Sequence, residues 1–460
     1  MTTARASNHG LWSNRLAFVL AATGSTVGLG NIWKFPYLTG ENGGGAFVLV
    51  YLLCLAVIGI PIMMAEVMMG RRGRHSPVNT MRNLAAQENL GSRWQWLGWI
   101  GMLAGFLILS YYSVIAGWTL AYVFRTGSGL FTGLTADGVQ SIFSNLVDHP
   151  ERLMAWHTIF MVMTMVIVAR GVRRGLEVAT RILVPALFVL LLVLDAYAWH
   201  SGAFAQGMDF LFRPDFSRIT VSAVLAAMSH AFFTLSLGMG AIMIYGSYLP
   251  DDTPIASSCI AVSVMDTVIA LLAGLAIFPL VFASGLAPAS GPGLIFRTLP
   301  IVFGHMSGGA FFGMLFFILL VFAAWTSAIS LIEPAVAWLV ENHGMTRPHA
   351  SVLAGVAVWL CGLLTVFSFN IWADVKLLSW IPFFREDTIF DLLDHFTAGI
   401  MRPLGGLLIV IFVGWRMRRD SSAGELGMGG GAAYRVWRFL LRYIAPAAVI
   451  IVLLHTIGII

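Results

Sequence analysis

Charge is scarce in this chain. Only 11% of its 460 residues are Asp, Glu, Lys or Arg, and just two are lysine, Lys34 and Lys376. A soluble domain carries about a quarter charged residues, so most segments here lack the means to form an aqueous surface. Cysteine is nearly absent too: Cys54, Cys259 and Cys361 all fall in apolar runs, without metal-ligand spacing or an even count. That excludes a disulfide framework and a zinc cluster, and leaves them as small packing residues. The residues form no nucleophile, base and oxyanion pattern, so the chain does not read as an enzyme and implies no organic cofactor. The net charge of +5 comes from arginines in loops beside apolar runs, which removes the reason to invoke nucleic acid.

What the chain has is apolar length. Hydrophobic residues make up 58% of it, in runs of about twenty near 12–38, 43–70, 95–125, 154–171, 176–200, 219–248, 255–285, 310–340, 349–371, 388–416 and 436–460. The expectation is an all-α membrane protein of eleven transmembrane helices, a single polytopic domain over 1–460 in the lipid bilayer. Arginine clusters at Arg71, Arg72 and Arg74, at Arg170, Arg173 and Arg174, and at Arg416, Arg418 and Arg419. By the positive-inside rule these loops face the cytoplasm with the N-terminus, which carries Arg5 and Arg15. An odd count of spans then puts Ile460 outside. The short polar start is no cleaved signal, and 420–433, rich in Gly, Ala and Ser, reads as a flexible cytoplasmic loop.

Two runs are interrupted. Gly24 to Pro36 reads GSTVGLGNIWKFP, and Phe233 to Gly240 reads FTLSLGMG. Backbone groups freed at membrane depth cost several kcal/mol each unless buried in protein or facing a cavity, so an interruption needs a ligand or ion to offset it. One Gly-x-Gly simply permits close helix packing. Two in corresponding spans of two halves are the signature of a transporter binding site. Spans one to five (12–200) and six to ten (219–416) then form a 5+5 inverted repeat with helices 1 and 6 broken, followed by an extra helix at 436–460.

The string WSNRLAFVLAATGSTVGLGNIWKFPYLTGENGGGAF resembles the first span and loop of the neurotransmitter:sodium symporter family, and similar strings recur in spans two, three, six, seven, eight and ten. The resemblance implies a LeuT-like fold and import of an amino acid with sodium at two sites. For the first site it implies the carbonyl of Thr26, the amide oxygen of Asn31, the carbonyl and hydroxyl of Thr234, and the substrate carboxylate. For the second it implies the carbonyls of Gly24, Val27 and Ala323 with the hydroxyls of Thr326 and Ser327. Taken alone, those two hydroxyls would instead bond back to their own helix.

An acid in an apolar run marks function by default, and Asp266 is such an acid, placed where the family often has a sodium-binding asparagine. A one-residue shift makes Met265 the alternative match. A permanent charge at Asp266 would make transport independent of chloride. Monoamine members carry aspartate where this chain has Gly28, so the expected substrate brings its own carboxylate. It would lie along Ser25, Thr26, Gly28, Leu29 and Gly30, with the Tyr112 hydroxyl donating to that carboxylate and carbonyls near Phe233 and Ser236 accepting from the ammonium. Ile108, Phe233, Met239, Ser327 and Leu331 would form the side-chain pocket. Their apolar character points to a hydrophobic or aromatic L-amino acid.

The resemblance further implies an outer ion pair of Lys34 with Asp394 above a lid of Tyr112 and Phe233. It implies an inner network of Trp12, Tyr248, Glu333 and Glu341, in which His9 stands in place of the usual arginine and Arg5 is the other available cation. Glu66 would cap free amides of the broken sixth helix, its alternative being a carboxylate beside Arg71. Gly175 and Pro185 would let the fifth span unwind, with Glu177 and Arg181 tolerating water. The localisation implied is a bacterial inner membrane, while oligomeric state stays open. A non-translocating sensor, an osmolyte carrier and proton coupling remain alternatives.

Overall fold

The computed structural model describes residues 9–285 and 293–459. Among these residues regular structure is helical throughout, relieved by one isolated bridge between Gly44 and Pro214. A helix satisfies its backbone within its own segment, which is what a chain this apolar requires in lipid. Thirteen helical segments matter: α1 (Arg15–Thr26), α2 (Gly30–Glu41), α3 (Gly45–Gly73), α4 (Ser92–Gly127), α5 (Pro150–Ala169), α6 (Val172–Trp199), α7 (Val221–Thr234), α8 (Ala241–Ser247), α9 (Ile255–Ala283), α10 (Gly309–His343), α11 (Arg347–Ser368), α12 (Ile389–Arg416) and α13 (Ala432–Thr456). Nine of them are each long and apolar enough to cross a membrane, ten when α1 and α2 are taken as one span bent by 57°. The run expected at 219–248 comes as α7 and α8, both too short to cross alone. The protein is therefore multi-pass.

Local chemistry sets the ends. The Asn14 side chain accepts from the Ala17 amide at 2.9 Å to start α1, and Thr388 forms a capping box with Asp391 to start α12. Such caps satisfy amides that have no partner within the helix. The second break is made by three alternate residues in the left-handed region, Ser236 (φ 54°), Gly238 (φ 75°) and Gly240 (φ 73°). Glycine adopts that conformation freely; a serine does so only where its surroundings hold it.

The core is built around α10, which packs along α4, α6 and α1. Alpha-carbons come close where glycines allow: a Cβ on Gly70 would lie 1.9 Å from the Met243 carbonyl, and one on Gly246 would lie 2.6 Å from that of Val67. α3 and α8 thus touch backbone to backbone, as small residues permit in membrane helices. The outer faces of α5, α6 and α11 expose Val162, Ile182 and Leu360, the apolar coat expected against lipid.

The stretch 420–433 is a correction. It contains a helix, Arg419–Leu426, fixed by an ion pair of Glu425 with Arg71 at 2.7 Å and by Ser422 against the Tyr434 hydroxyl at 2.7 Å. Its Ser and Glu residues, taken for solvated loop, have partners far away in sequence.

Candidate functional site

The two breaks lie against each other. The Ser236 hydroxyl donates to the Ser25 carbonyl at 2.9 Å, so the second break supplies a donor to a carbonyl at the first. Glu66, fully buried on α3, accepts from the Gly238 amide at 3.2 Å. A carboxylate is a strong acceptor for amides left open at a break. Arg71, its alternative neighbour, is committed to Glu425.

Beside the first break sits a buried polar cluster. Asp266 on α9 has no exposed surface. One carboxylate oxygen accepts from Asn31 Nδ2 at 2.9 Å, and the other accepts from the Thr234 hydroxyl at 2.8 Å. Asn31 also donates to Thr234 at 3.0 Å and uses its amide oxygen to accept from the Gly28 N–H at 3.1 Å. Residues from α2, α7 and α9 thus meet at one buried carboxyl group. Of the two alternatives on α9, Asp266 is the one brought there; the Met265 sulfur lies 3.7 Å from the Thr23 hydroxyl. The amide oxygen of Asn31, expected to face a cation, is turned to Gly28 because the carboxylate attracts the NH2 end.

A second cluster joins α10 to the first break. Ser327 Oγ lies 3.2 Å from the Val27 carbonyl, 3.4 Å from that of Ser25 and 3.5 Å from that of Gly24. Thr326 bonds back to the carbonyls of Phe322 and Ala323, both at 3.1 Å, which is the local pattern open to any helical threonine. Ser25 and Ser330 pair through their hydroxyls at 2.8 Å. Thr26, almost fully buried, donates to the Thr23 carbonyl at 3.1 Å.

Between the clusters is the ground expected for substrate. The Tyr112 oxygen accepts from the Leu29 amide at 3.3 Å, and its hydroxyl, with Ser327 beside it, keeps a proton to donate. A Cβ on Gly28 would lie 2.8 Å from Ser327 Oγ and 3.1 Å from the Tyr112 hydroxyl. One on Gly30 would lie 2.9 Å from the Phe233 ring. Space here depends on glycine. Ile108, Met239 and Leu331 are all buried, and a Cβ on Gly105 would lie 3.2 Å from the carbonyls of both Met239 and Leu331.

The profile of the sodium:neurotransmitter symporter family matches residues 9–132 and 138–459. The chain belongs to that family. It is 37% identical to an uncharacterized sodium-dependent transporter, YhdH, of Bacillus subtilis, over 97% of this chain and 98% of that one. It is 32% identical to an uncharacterized sodium-dependent transporter of Haemophilus influenzae, over 97% and 98% of the two chains. Among solved structures it is similar to MhsT in complex with L-phenylalanine, with a TM-score of 0.87 and 42% identity over 97% of this chain and 99% of that one. The protein is thus a sodium-dependent transporter of this symporter family, not an enzyme.

In this symporter the two ends of the site differ. At the Trp12 end the chain is closed. Trp12 donates from its amide to the Tyr248 carbonyl and from its indole to the Tyr245 carbonyl, both at 2.9 Å. The Tyr248 hydroxyl donates to Glu333 at 2.6 Å, and Glu333 is paired with Arg347. Glu341 receives His9 at 2.8 Å, the Ser76 amide at 2.7 Å, and the Ser76 hydroxyl and Asn79 amide, both at 2.6 Å. His9 is thus the residue of the two found beside Glu341; Arg5 lies outside the described residues. The start of α6 is tied in as well. Glu177 accepts from the Ser13 amide at 3.1 Å and pairs with Arg181 at 2.7 Å, while Arg181 donates to the Ser13 hydroxyl at 2.6 Å. α6 is wound through Gly175 and Pro185, with a wider π turn over Val172–Glu177.

At the Lys34 end the expected ion pair is not formed. Lys34 and Asp394 are both exposed. The ammonium lies 4.6 Å from the centre of the Phe233 ring, and Asp394 accepts from the Tyr111 hydroxyl at 3.0 Å. A lysine lacks the planar fork that would fix a bidentate pair, and the ring face offers it a cation–π contact instead. Sequence reasoning passed over Arg402 altogether. This guanidinium, only 2% exposed, lies 4.2 Å from the Phe233 ring centre and donates to the Phe233 carbonyl at 3.0 Å. A buried arginine in an apolar span is a signal that could have found it.

Proposed function

We propose that this symporter imports hydrophobic or aromatic L-amino acids together with sodium, by alternating exposure of one midplane site, and without a requirement for chloride. The observation that carries the reading is the fully buried Asp266 carboxylate, held by Asn31 and Thr234 beside the first break. A buried carboxylate with two neutral donors is a site for a cation. Asp266, Asn31, Thr234 and the Thr26 carbonyl, with the substrate carboxylate, would ligate one sodium. The carbonyls of Gly24, Val27 and Ala323, with Thr326 and Ser327, would ligate a second. Because substrate and ion share ligands, each favours the other's binding. The charge of Asp266 supplies in protein form what a chloride would otherwise bring.

The substrate class rests on the lack of a side chain at Gly28, on the Tyr112 hydroxyl beside it and on the buried apolar side chains of Ile108, Met239 and Leu331. The likeness to MhsT, solved with L-phenylalanine, supports the same class. In this reading the chain crosses the inner membrane eleven times as a 5+5 inverted repeat plus α13, with the Trp12 end cytoplasmic and the C-terminus outside. At 100 mV each sodium charge brings about 2.3 kcal/mol to accumulation. The test is uptake of labelled leucine and tryptophan into proteoliposomes under an inward sodium gradient, with potassium and proton-gradient controls and gluconate in place of chloride. Accumulation that needs sodium, survives gluconate and is lost in Asn31→Ala is expected. Binding without accumulation, or glycine outcompeting leucine and tryptophan, would overturn the reading.

A further inference from the structure

We infer that the groove between α5 and α6 at the Trp12 end is a binding site for an anionic phospholipid. The groove has a volume of about 420 Å3 and is lined by Val162, Val166, Val178, Gly175 and Trp325, with Arg170 and Arg174 at its mouth. Three features specify the occupant. Val162, Val166 and Val178 are strongly exposed, so the groove opens sideways toward acyl chains rather than toward water. Arg170 and Arg174 are exposed, and neither makes a side-chain hydrogen bond or ion pair among the described residues. Two guanidinium groups without a carboxylate at the membrane boundary match a phosphodiester headgroup in charge and geometry. The buried indole N–H of Trp325 has no acceptor among the described residues. Indole N–H groups removed from water normally find one, and the ester carbonyl of a glycerolipid lying in the groove that Trp325 lines would be such an acceptor.

The site bears on transport, and this part rests on the reading above that the Trp12 end is cytoplasmic. Gly175 sits so close beneath α5 that a Cβ there would lie 2.1 Å from the Ile167 carbonyl. A lipid lying across both helices binds the form in which the first turn of α6 is docked, and by linkage it favours that form. Trp325 directly precedes Thr326, so the occupant touches the helix that carries the second cluster.

The test is photolabelling of the full chain in phosphatidylcholine liposomes, with phosphatidylglycerol carrying a diazirine in its acyl chain and the matching phosphatidylcholine probe as reference. Peptide mapping follows. Each arginine near an anionic surface contributes roughly fivefold in affinity. Labelling of 162–179 and Trp325 is expected to be at least about fivefold stronger with the glycerol probe, and equal for both probes at 352–360 on α11. The excess should vanish in the Arg170→Gln/Arg174→Gln double variant, while labelling of α11 stays unchanged and reports an intact fold. Val166→Trp, which fills the groove, should remove labelling by either probe. Equal labelling of 162–179 by both probes, or an undiminished excess in the double variant, would overturn the inference. Neither result depends on whether leucine is transported.

Discussion

Glu341→Gln isolates the closure at the Trp12 end. The wild-type carboxylate receives four hydrogen bonds from His9, Ser76 and Asn79, at 2.6 to 2.8 Å, with 3% of its side chain exposed. Glutamine keeps the length and shape but turns one acceptor oxygen into a donor. That atom then faces the Ser76 hydroxyl and the Asn79 amide, or the amide flips and faces His9 and the Ser76 N–H. Either way one N–H, of Asn79 or of Ser76, opposes the new donor, and the other contacts lose their charge assistance, together equivalent to about two bonds to a charged group. At about 1.5 kcal/mol each, the lower end for bonds to a charged group, the closed form loses about 3 kcal/mol, or roughly 150-fold in the closed-to-open ratio. The assay is the rate of maleimide labelling of a cysteine placed at Ala17, which is fully buried near this end, in a background lacking Cys54, Cys259 and Cys361. The rate should rise by about two orders of magnitude. An increase below about fivefold, roughly 1 kcal/mol, would show that Glu341 does not hold the closure.

Three further outcomes follow from the packing. Asp266→Asn removes the one charge of the buried cluster, so the sodium-over-potassium increase in melting temperature of purified protein should require at least about tenfold more sodium; an unchanged sodium titration would take Asp266 out of the ion's reach. Gly28→Ala places a methyl 2.8 Å from Ser327 Oγ, which should weaken equilibrium binding of labelled leucine by roughly 5- to 150-fold, about 1–3 kcal/mol of overpacking, with normal expression. Wild-type affinity in this variant would mean that substrate does not lie along the first break. Gly70→Ala drives a methyl into the Met243 carbonyl at 1.9 Å and should cost about 3 kcal/mol of stability, seen as a lower thermal midpoint or loss of the monodisperse peak in fluorescence-detected size exclusion.

Most of the architecture was legible because lipid enforces it. A run of twenty apolar residues has one stable way to cross a bilayer, so the run expected at 255–285 and the helix Ile255–Ala283 nearly coincide. The breaks were legible for the converse reason, since Gly28, Ser236 and Gly238 have no place in a continuous apolar helix. What sequence could not show is pairing across distance. Arg402 and Phe233 are 169 residues apart, and Arg347 reaches Glu333 only because α10 and α11 turn back on each other. The surface helix Arg419–Leu426 was hidden by its composition: Ser, Gly and Glu suit a solvated loop as well as a short helix held by tertiary contacts. Lys34 and Asp394 were brought near one end of the site without being joined, because a motif fixes positions along the chain, whereas a rotamer is fixed by its neighbours.

The knot of Ser13, Glu177 and Arg181 has a consequence for the order of events. Ser13, two residues before α1, is bound through main chain and side chain alike to the wider turn that begins α6. Neither end can swing free while the other stays docked without giving up the hydrogen bonds that join Ser13 to Glu177 and Arg181. Loosening of the α6 turn and departure of the α1 start are then a single all-or-none event with one barrier. A kinetic trace of that end should show one relaxation rather than two.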